Sequence, residues 1–180
     1  MDMRKDYRSD FPLIVNSSIA YLDNAATAQR PQCVIDAESD FYLRHNANPM
    51  RGLYELSIEA TDIYESARET VRKFIGAAST EEVVFTRNTT ESLNLVAYSY
   101  GLTHVKAGDE VLVSIMEHHS DLLPWQMVCR QTGAKLRFID CEPDGSVDLN
   151  KVDELITDKT KIVAMTQVSN VLGRQYPVRE

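Results

Sequence analysis

Three short segments carry side chains able to do chemistry. The first, Val83 to Glu91 (VVFTRNTTE), crowds Asn88, Thr89 and Thr90 at the entry to an expected helix. The leading amides of a helix have no partner within it, the helix dipole favours an anion there, and threonine hydroxyls add donors for phosphate oxygens. Such a segment could cradle a phosphate. The same residues also read as an ordinary cap, with Asn88 or Thr89 at the N-cap and Glu91 complementing the dipole. The second segment, EHHS, sets His118 and His119 behind the apolar run EVLVSIM. Adjacent histidines in extended chain point to opposite sides and chelate poorly, so stacking of one flat ring on a cofactor suits them better than metal binding. A hydrogen-bonded histidine packed beneath a loop is the competing reading. The third, QVSN, brings Asn170, whose amide could donate to a phenolate or carboxylate oxygen or cap a loop. Nearer the start, YLDNAATAQRP combines a short apolar strand with the small residues Ala25 and Ala26, which permit either close substrate approach or tight packing.

These segments need a scaffold, and the periodicity supplies one. Helical stripes are expected from Pro31 to about Arg44, from Ser57 to Ile75 with Gly76 as the stop, from about Thr90 to Tyr100, from Leu122 to Gln131, and near Lys151 to Ile156. Between them, Glu82 to Thr86, Glu110 to Ile115, Lys135 to Ile139 and Lys161 to Thr166 are expected strands, with a turn at Pro143 to Gly145. Strands alternating with helices imply an α/β fold, a mostly parallel sheet with helices on both faces. Ligands of such sheets bind beyond the carboxyl ends of the strands, and that is where RNTTE, EHHS and QVSN fall. The organisation read from the chain is an amino-terminal segment, 1–20, followed by one domain, 21–180, whose sheet is expected to be incomplete, leaving an open edge, marginal stability and a tendency to associate.

Composition narrows the partners. The 180 residues include 27 acidic and 19 basic side chains, a net charge of -8, which repels nucleic acid and anionic membrane surfaces. No apolar run reaches the length of a membrane span, and MDMRKDYRSDF lacks the apolar centre of a secretion signal, so a cytoplasmic address is expected. Cys33, Cys129 and Cys141 are odd in number and lack CxxC spacing, which suggests neither disulfides nor a metal site.

Taken in order, YLDNAATAQRP, TRNTTESLNLVAYS, MEHHSDLLPWQ, DGSVDL and VSNVLG resemble the SufS-type cysteine desulfurases and selenocysteine lyases, a class V aminotransferase branch of the fold-type I pyridoxal 5'-phosphate (PLP) enzymes. The resemblance covers nearly the whole chain. It implies a partial fold-type I large domain in which Thr89 and Thr90 hold the PLP phosphate, His118 stacks on the pyridine ring, and Asn170 faces the ring hydroxyl and the substrate carboxylate. Ala25 and Ala26 would line the substrate pocket and Arg51 would contact substrate. Met50 stands where many members have histidine, and Tyr54 and Glu55 also depart from the common pattern.

The implied reaction converts L-cysteine to L-alanine, leaving an enzyme persulfide that is passed to an acceptor protein of iron–sulfur cluster assembly, in a homodimer. The family's cofactor-bearing lysine, its acidic residue at the pyridine nitrogen and its persulfide cysteine lie farther along than Glu180. None of the seven lysines follows the family's serine, glycine and histidine, and none of the cysteines matches its persulfide loop. The chain is therefore expected to contain no catalytic residue of its own and to be inactive alone. Other readings are a selenocysteine lyase or another class V enzyme sharing this half-site, a non-catalytic dimerisation module, and a plain α/β domain binding another phosphorylated small molecule.

Overall fold

The computed structural model describes residues 6–180. Lys5, one of the lysines considered above, lies outside them. Two compact units divide between Val84 and Phe85.

The first unit is helical among its described residues. A short α1 (Pro12–Val15) is followed by α2 (Gln32–Asp40), which passes into a π-helical turn at Phe41–His45, and then by α3 (Glu55–Ile75). Pro31 acts as the N-cap of α2 rather than as its first helical residue. The long α3 ends as its sequence demands: Gly76 adopts φ 73°, the left-handed geometry that glycine takes without a Cβ penalty. The Arg72 guanidinium closes that end by donating to the Ala77 carbonyl at 2.8 Å, and it holds the Glu69 carboxyl down at about 2. Tyr21 and Leu22 form no strand. The Tyr21 hydroxyl donates to the Thr27 carbonyl at 2.8 Å, and the Ala26 and Thr27 amides turn back to Asp23, so the expected strand is replaced by a self-bonded turn.

The second unit is a three-stranded parallel sheet in the order β2-β1-β3, formed by β1 (Glu110–Ser114), β2 (Lys135–Ile139) and β3 (Thr160–Ala164). Between Phe85 and β1 run α4 (Thr89–Val96), a π-helical turn at Ala97–Gly101 and α5 (Leu102–His104). The helix α6 (His119–Thr132) joins β1 to β2, and α7 (Leu149–Leu155) precedes β3. β1 is central and buried from Val111 to Ser114, so its sequence is apolar almost throughout rather than alternating. Val111 and Val113 face α6 and pack with Ala97, Val105, Trp125, Val128 and Ala164 as the core. On the opposite face, Ile139 and Val163 line a cavity with Val152 and Ile156 at α7.

Two further expectations are corrected by the structure. Glu82 to Thr86 is not a strand: Thr80–Glu82 is a 3-10 turn, and Val83 is extended but without a ladder partner among the described residues. Its β-branched composition favours extension, whereas a strand also requires a neighbour to accept and donate its hydrogen bonds. In addition, α6 starts three residues before Leu122, because His118 caps it and Pro124 is tolerated inside its early turns. No helix among the described residues is long and apolar enough to cross a membrane.

Candidate functional site at the sheet end

The start of α4 is built by its own side chains. Asn88, extended at φ −169°, is the N-cap, and its side-chain oxygen accepts the Glu91 amide at 2.9 Å. The Asn88 carbonyl takes the Ser92 amide at 3.2 Å. Glu91 reaches back to accept the Arg87 amide at 2.7 Å and pairs with the Arg87 guanidinium at 3.2 Å, which lowers the Glu91 carboxyl below the usual range. Of the first four amides of α4, those of Glu91 and Ser92 are thereby used. Those of Thr89 and Thr90 make no hydrogen bond among the described residues. Capping by Asn88 and a free pair of donors therefore coexist, whereas the sequence posed them as alternatives.

Thr90 opens onto a cleft of about 390 Å³ between α4 and α6, shared with Asn94, Tyr98, His118, His119 and Leu123. That volume falls within the roughly 300–1,000 Å³ typical of small-molecule sites. A second hollow, also touching Thr90, is bordered by Arg87, Asn88 and Asn94. Thr90 and His118, separated by 28 positions in the chain, thus border the same cleft.

His118 is fixed by the helix that it starts. Its Nδ1 accepts the Ser120 amide at 3.1 Å and lies 2.8 Å from the Ser120 hydroxyl. A bond from an amide requires the Nδ1 lone pair, so the ring proton of the neutral side chain is carried by Nε2. His119 does not point to the opposite side, as extended geometry would require. It is the first residue of α6, its ring centroid lies 6.3 Å from that of His118, and both rings border the cleft. The helical turn, which places neighbours about 100° apart, overrides the strand periodicity.

Asn170 occupies a different part of the same unit. After β3, Val168 bridges Gln175 in antiparallel fashion, and the buried Ser169 hydroxyl accepts the Val171 and Leu172 amides at 3.3 and 3.1 Å. Asn170 is exposed at the tip of this loop and is not among the residues bordering the cleft. In the first unit, Ala25 and Ala26 sit in the exposed turn that follows Asp23, and Arg51 sits exposed in the turn before α3.

One residue unnoticed in the sequence ties the sheet end together. The half-buried Glu117, at the exit of β1, accepts the Ser114 hydroxyl at 2.6 Å and the Thr166 amide at 2.7 Å, joining the end of β1 to the chain leaving β3. Burial and the nearby Asp121 push its carboxyl upward against the lowering effect of those two bonds. Its position directly before the histidine pair was the available signal, but its partner at Thr166 is 49 residues away and leaves no local trace. The cysteines are plain. Cys129 belongs to the core, where burial pushes its thiol up, Cys33 is exposed and Cys141 is half-buried.

The aminotransferase class-V family matches residues 20–180. A probable cysteine desulfurase of Halalkalibacterium halodurans is 50% identical over 174 residues, covering 94% of this chain and 43% of that protein. A cysteine desulfurase of Escherichia coli is 49% identical over 177 residues, 96% of this chain and 44% of its own length. Among solved structures, the apo cysteine desulfurase of Thermococcus onnurineus superposes with a TM-score of 0.89 at 44% identity, covering 99% of this chain and 43% of that one. The chain thus spans somewhat under half the length of these relatives. A match over 161 of 180 residues, together with superposition on a family structure, makes this chain a member of the aminotransferase class-V family.

Proposed function

We propose that the protein to which this chain contributes is a PLP-dependent cysteine desulfurase, and that the chain supplies the cofactor's phosphate cup and its stacking histidine. The observation that carries this reading is the cleft between α4 and α6, bordered by both Thr90 and His118, at the start of α4 where the Thr89 and Thr90 amides make no hydrogen bond among the described residues. An anionic phosphate fits the amides of Thr89 and Thr90, and a planar ring fits against an imidazole whose Nδ1 is already engaged. Bound there, PLP would supply the electron sink that loosens the bonds of an attached amino acid.

In this reading the chain's own groups bind and orient. The Thr89 and Thr90 amides and hydroxyls would hold the phosphate, His118 would stack on the ring, and Asn170 would face the ring hydroxyl and the substrate carboxylate. Arg51 would add a cationic contact to that carboxylate, and Ala25 and Ala26 would line the substrate pocket. The net reaction breaks the carbon–sulfur bond of L-cysteine and forms a sulfur–sulfur bond on a protein cysteine, giving L-alanine and a persulfide. No lysine borders the cleft among the described residues, and Cys129 is sequestered in the core. In this proposal the lysine and the sulfur-accepting cysteine come from elsewhere in the protein, and these 180 residues alone are inactive. Transfer of the persulfide to an acceptor protein of iron–sulfur cluster assembly, a homodimeric state and a cytoplasmic setting belong to the same proposal.

The test is retention of PLP by the full-length protein, with alanine release from L-cysteine assayed in parallel. Thr90→Ala and His118→Ala should each weaken PLP retention about tenfold, in line with the loss of one charge-assisted hydrogen bond or one ring contact. Undiminished retention in both variants would sink the assignment of the cleft, and absence of alanine from wild-type protein would sink the reaction.

A further inference from the structure

The turn that carries Arg51 is held by two hydroxyls of α3. Met50 adopts φ 68°, a left-handed conformation that a residue with a Cβ resists, and its side chain is 59% exposed, so packing does little to offset the strain. What holds it is hydrogen bonding. The Met50 amide donates to Thr61 Oγ1 at 2.8 Å, and Thr61 Oγ1 in turn donates to the Ser57 carbonyl at 2.7 Å, one helical turn earlier. On the other side of Arg51, the Gly52 amide donates to Ser57 Oγ at 3.0 Å, while the Ser57 hydroxyl donates to the Asn48 carbonyl at 2.7 Å. Ser57 is fully buried at 0% exposure, and Gly52 approaches it so closely that a Cβ there would stand 2.4 Å from its Oγ.

Asn48 to Gly52 is thus clasped at three backbone atoms, and the only side chain of the turn with a full charge, Arg51, is exposed and forms no ion pair or hydrogen bond among the described residues. Other arginines of this unit, Arg44 and Arg72, are engaged by carboxylates on their own helices or helical turns. A strained backbone, fixed from both flanks around one unengaged guanidinium, is arranged to present that cation at a set position. We infer that Ser57 and Thr61 are positioning residues for Arg51, holding its guanidinium ready for the carboxylate of the amino-acid substrate. This rests on the reading of Arg51 as a substrate contact given above. Pre-setting the cation matters because a displacement of about 1 Å in a binding group can cost orders of magnitude in efficiency.

The experiment uses the full-length protein, with steady-state kinetics on L-cysteine and hydrogen exchange at the Met50 and Gly52 amides. Arg51→Ala should raise KM about tenfold with kcat within about twofold, as for loss of a uniform binding contact. Ser57→Ala and Thr61→Val should raise KM in the same way, and neither should add to the effect of Arg51→Ala when combined with it, because both act through that residue. Exchange should accelerate at Gly52 in Ser57→Ala and at Met50 in Thr61→Val. Thr61 is only half-buried and valine keeps its shape, so this variant serves if Ser57→Ala folds poorly. A raised KM in Arg51→Ala, with wild-type KM in Thr61→Val despite faster exchange at Met50, overturns the positioning inference alone. A wild-type KM in Arg51→Ala overturns the substrate reading of Arg51 and the inference with it.

Discussion

Removing the Glu117 carboxyl and neutralising it should differ in cost and in pH dependence. Its Oε1 takes two donors, the hydroxyl of Ser114, which is 1% exposed, and the amide of Thr166. Glu117→Ala strands both. At about 1–3 kcal/mol for each unsatisfied buried donor, and with the Ser114 hydroxyl free to rotate toward another acceptor, the expected loss is about 2–4 kcal/mol. Glu117→Gln keeps the accepting oxygen and gains an amide that can donate toward Asp121, so its cost at neutral pH should stay below about 1 kcal/mol. The pH dependence separates the two further. Burial first, and Asp121 in addition, raise the folded-state value of Glu117, so the folded protein retains a proton that the unfolded chain has lost. The stability tied to that proton is fully present below the ordinary glutamate value of about 4.3 and is lost as pH rises from there through the raised value. Glutamine does not titrate, so the stability of Glu117→Gln relative to wild type should climb across that window and then level off. Urea unfolding at half-unit steps from pH 4 to pH 8 measures both effects. Equal stability of the alanine and glutamine variants, or a glutamine variant that parallels wild type at every pH, would refute the argument.

Three further outcomes follow from the local geometry. Asn88→Ala should lower thermal stability by about 0.5–2 kcal/mol as the Glu91 amide loses its acceptor, while Asn88→Asp should not, as judged by calorimetry. His118→Asn should keep the α6 cap and stay within about 0.5 kcal/mol of wild type in unfolding experiments, yet lose PLP retention by roughly 3- to 10-fold, which separates the capping role of the ring from its stacking role. Gly145→Ala should cost about 1–2 kcal/mol in the same unfolding assay, because φ is 79° there and the added Cβ would sit 2.8 Å from Leu172 Cδ1.

The features legible in advance were those governed by a few neighbouring residues. The apolar stripe and Gly76 announce α3 and its end, Val111 to Val113 announce a strand buried on both faces, and Asp144 with Gly145 announce the turn that follows β2. Each is set by side-chain period or by a backbone geometry that one residue type tolerates, which is information held within a window of ten or so positions. Thr90 and His118 could likewise be singled out from their place after an apolar extended run.

Other features depended on groups distant in the chain. Val83 to Thr86 has strand composition but no ladder partner among the described residues, because pairing is a property of two segments. Whether His118 and His119 share a cleft turned on where α6 begins, which the Ser120 bond to His118 decides. Glu117 acquires its raised carboxyl only when folding buries it beside Asp121, and Met50 can hold a left-handed backbone only because Thr61 and Ser57 lie one turn apart on the same face of α3. The amino-acid order by itself determined the main helices and the three paired strands, the family and the residue types available for chemistry. Tertiary folding alone decided which of those residues meet, since hydrogen bonds and desolvation depend on separation in space rather than along the chain.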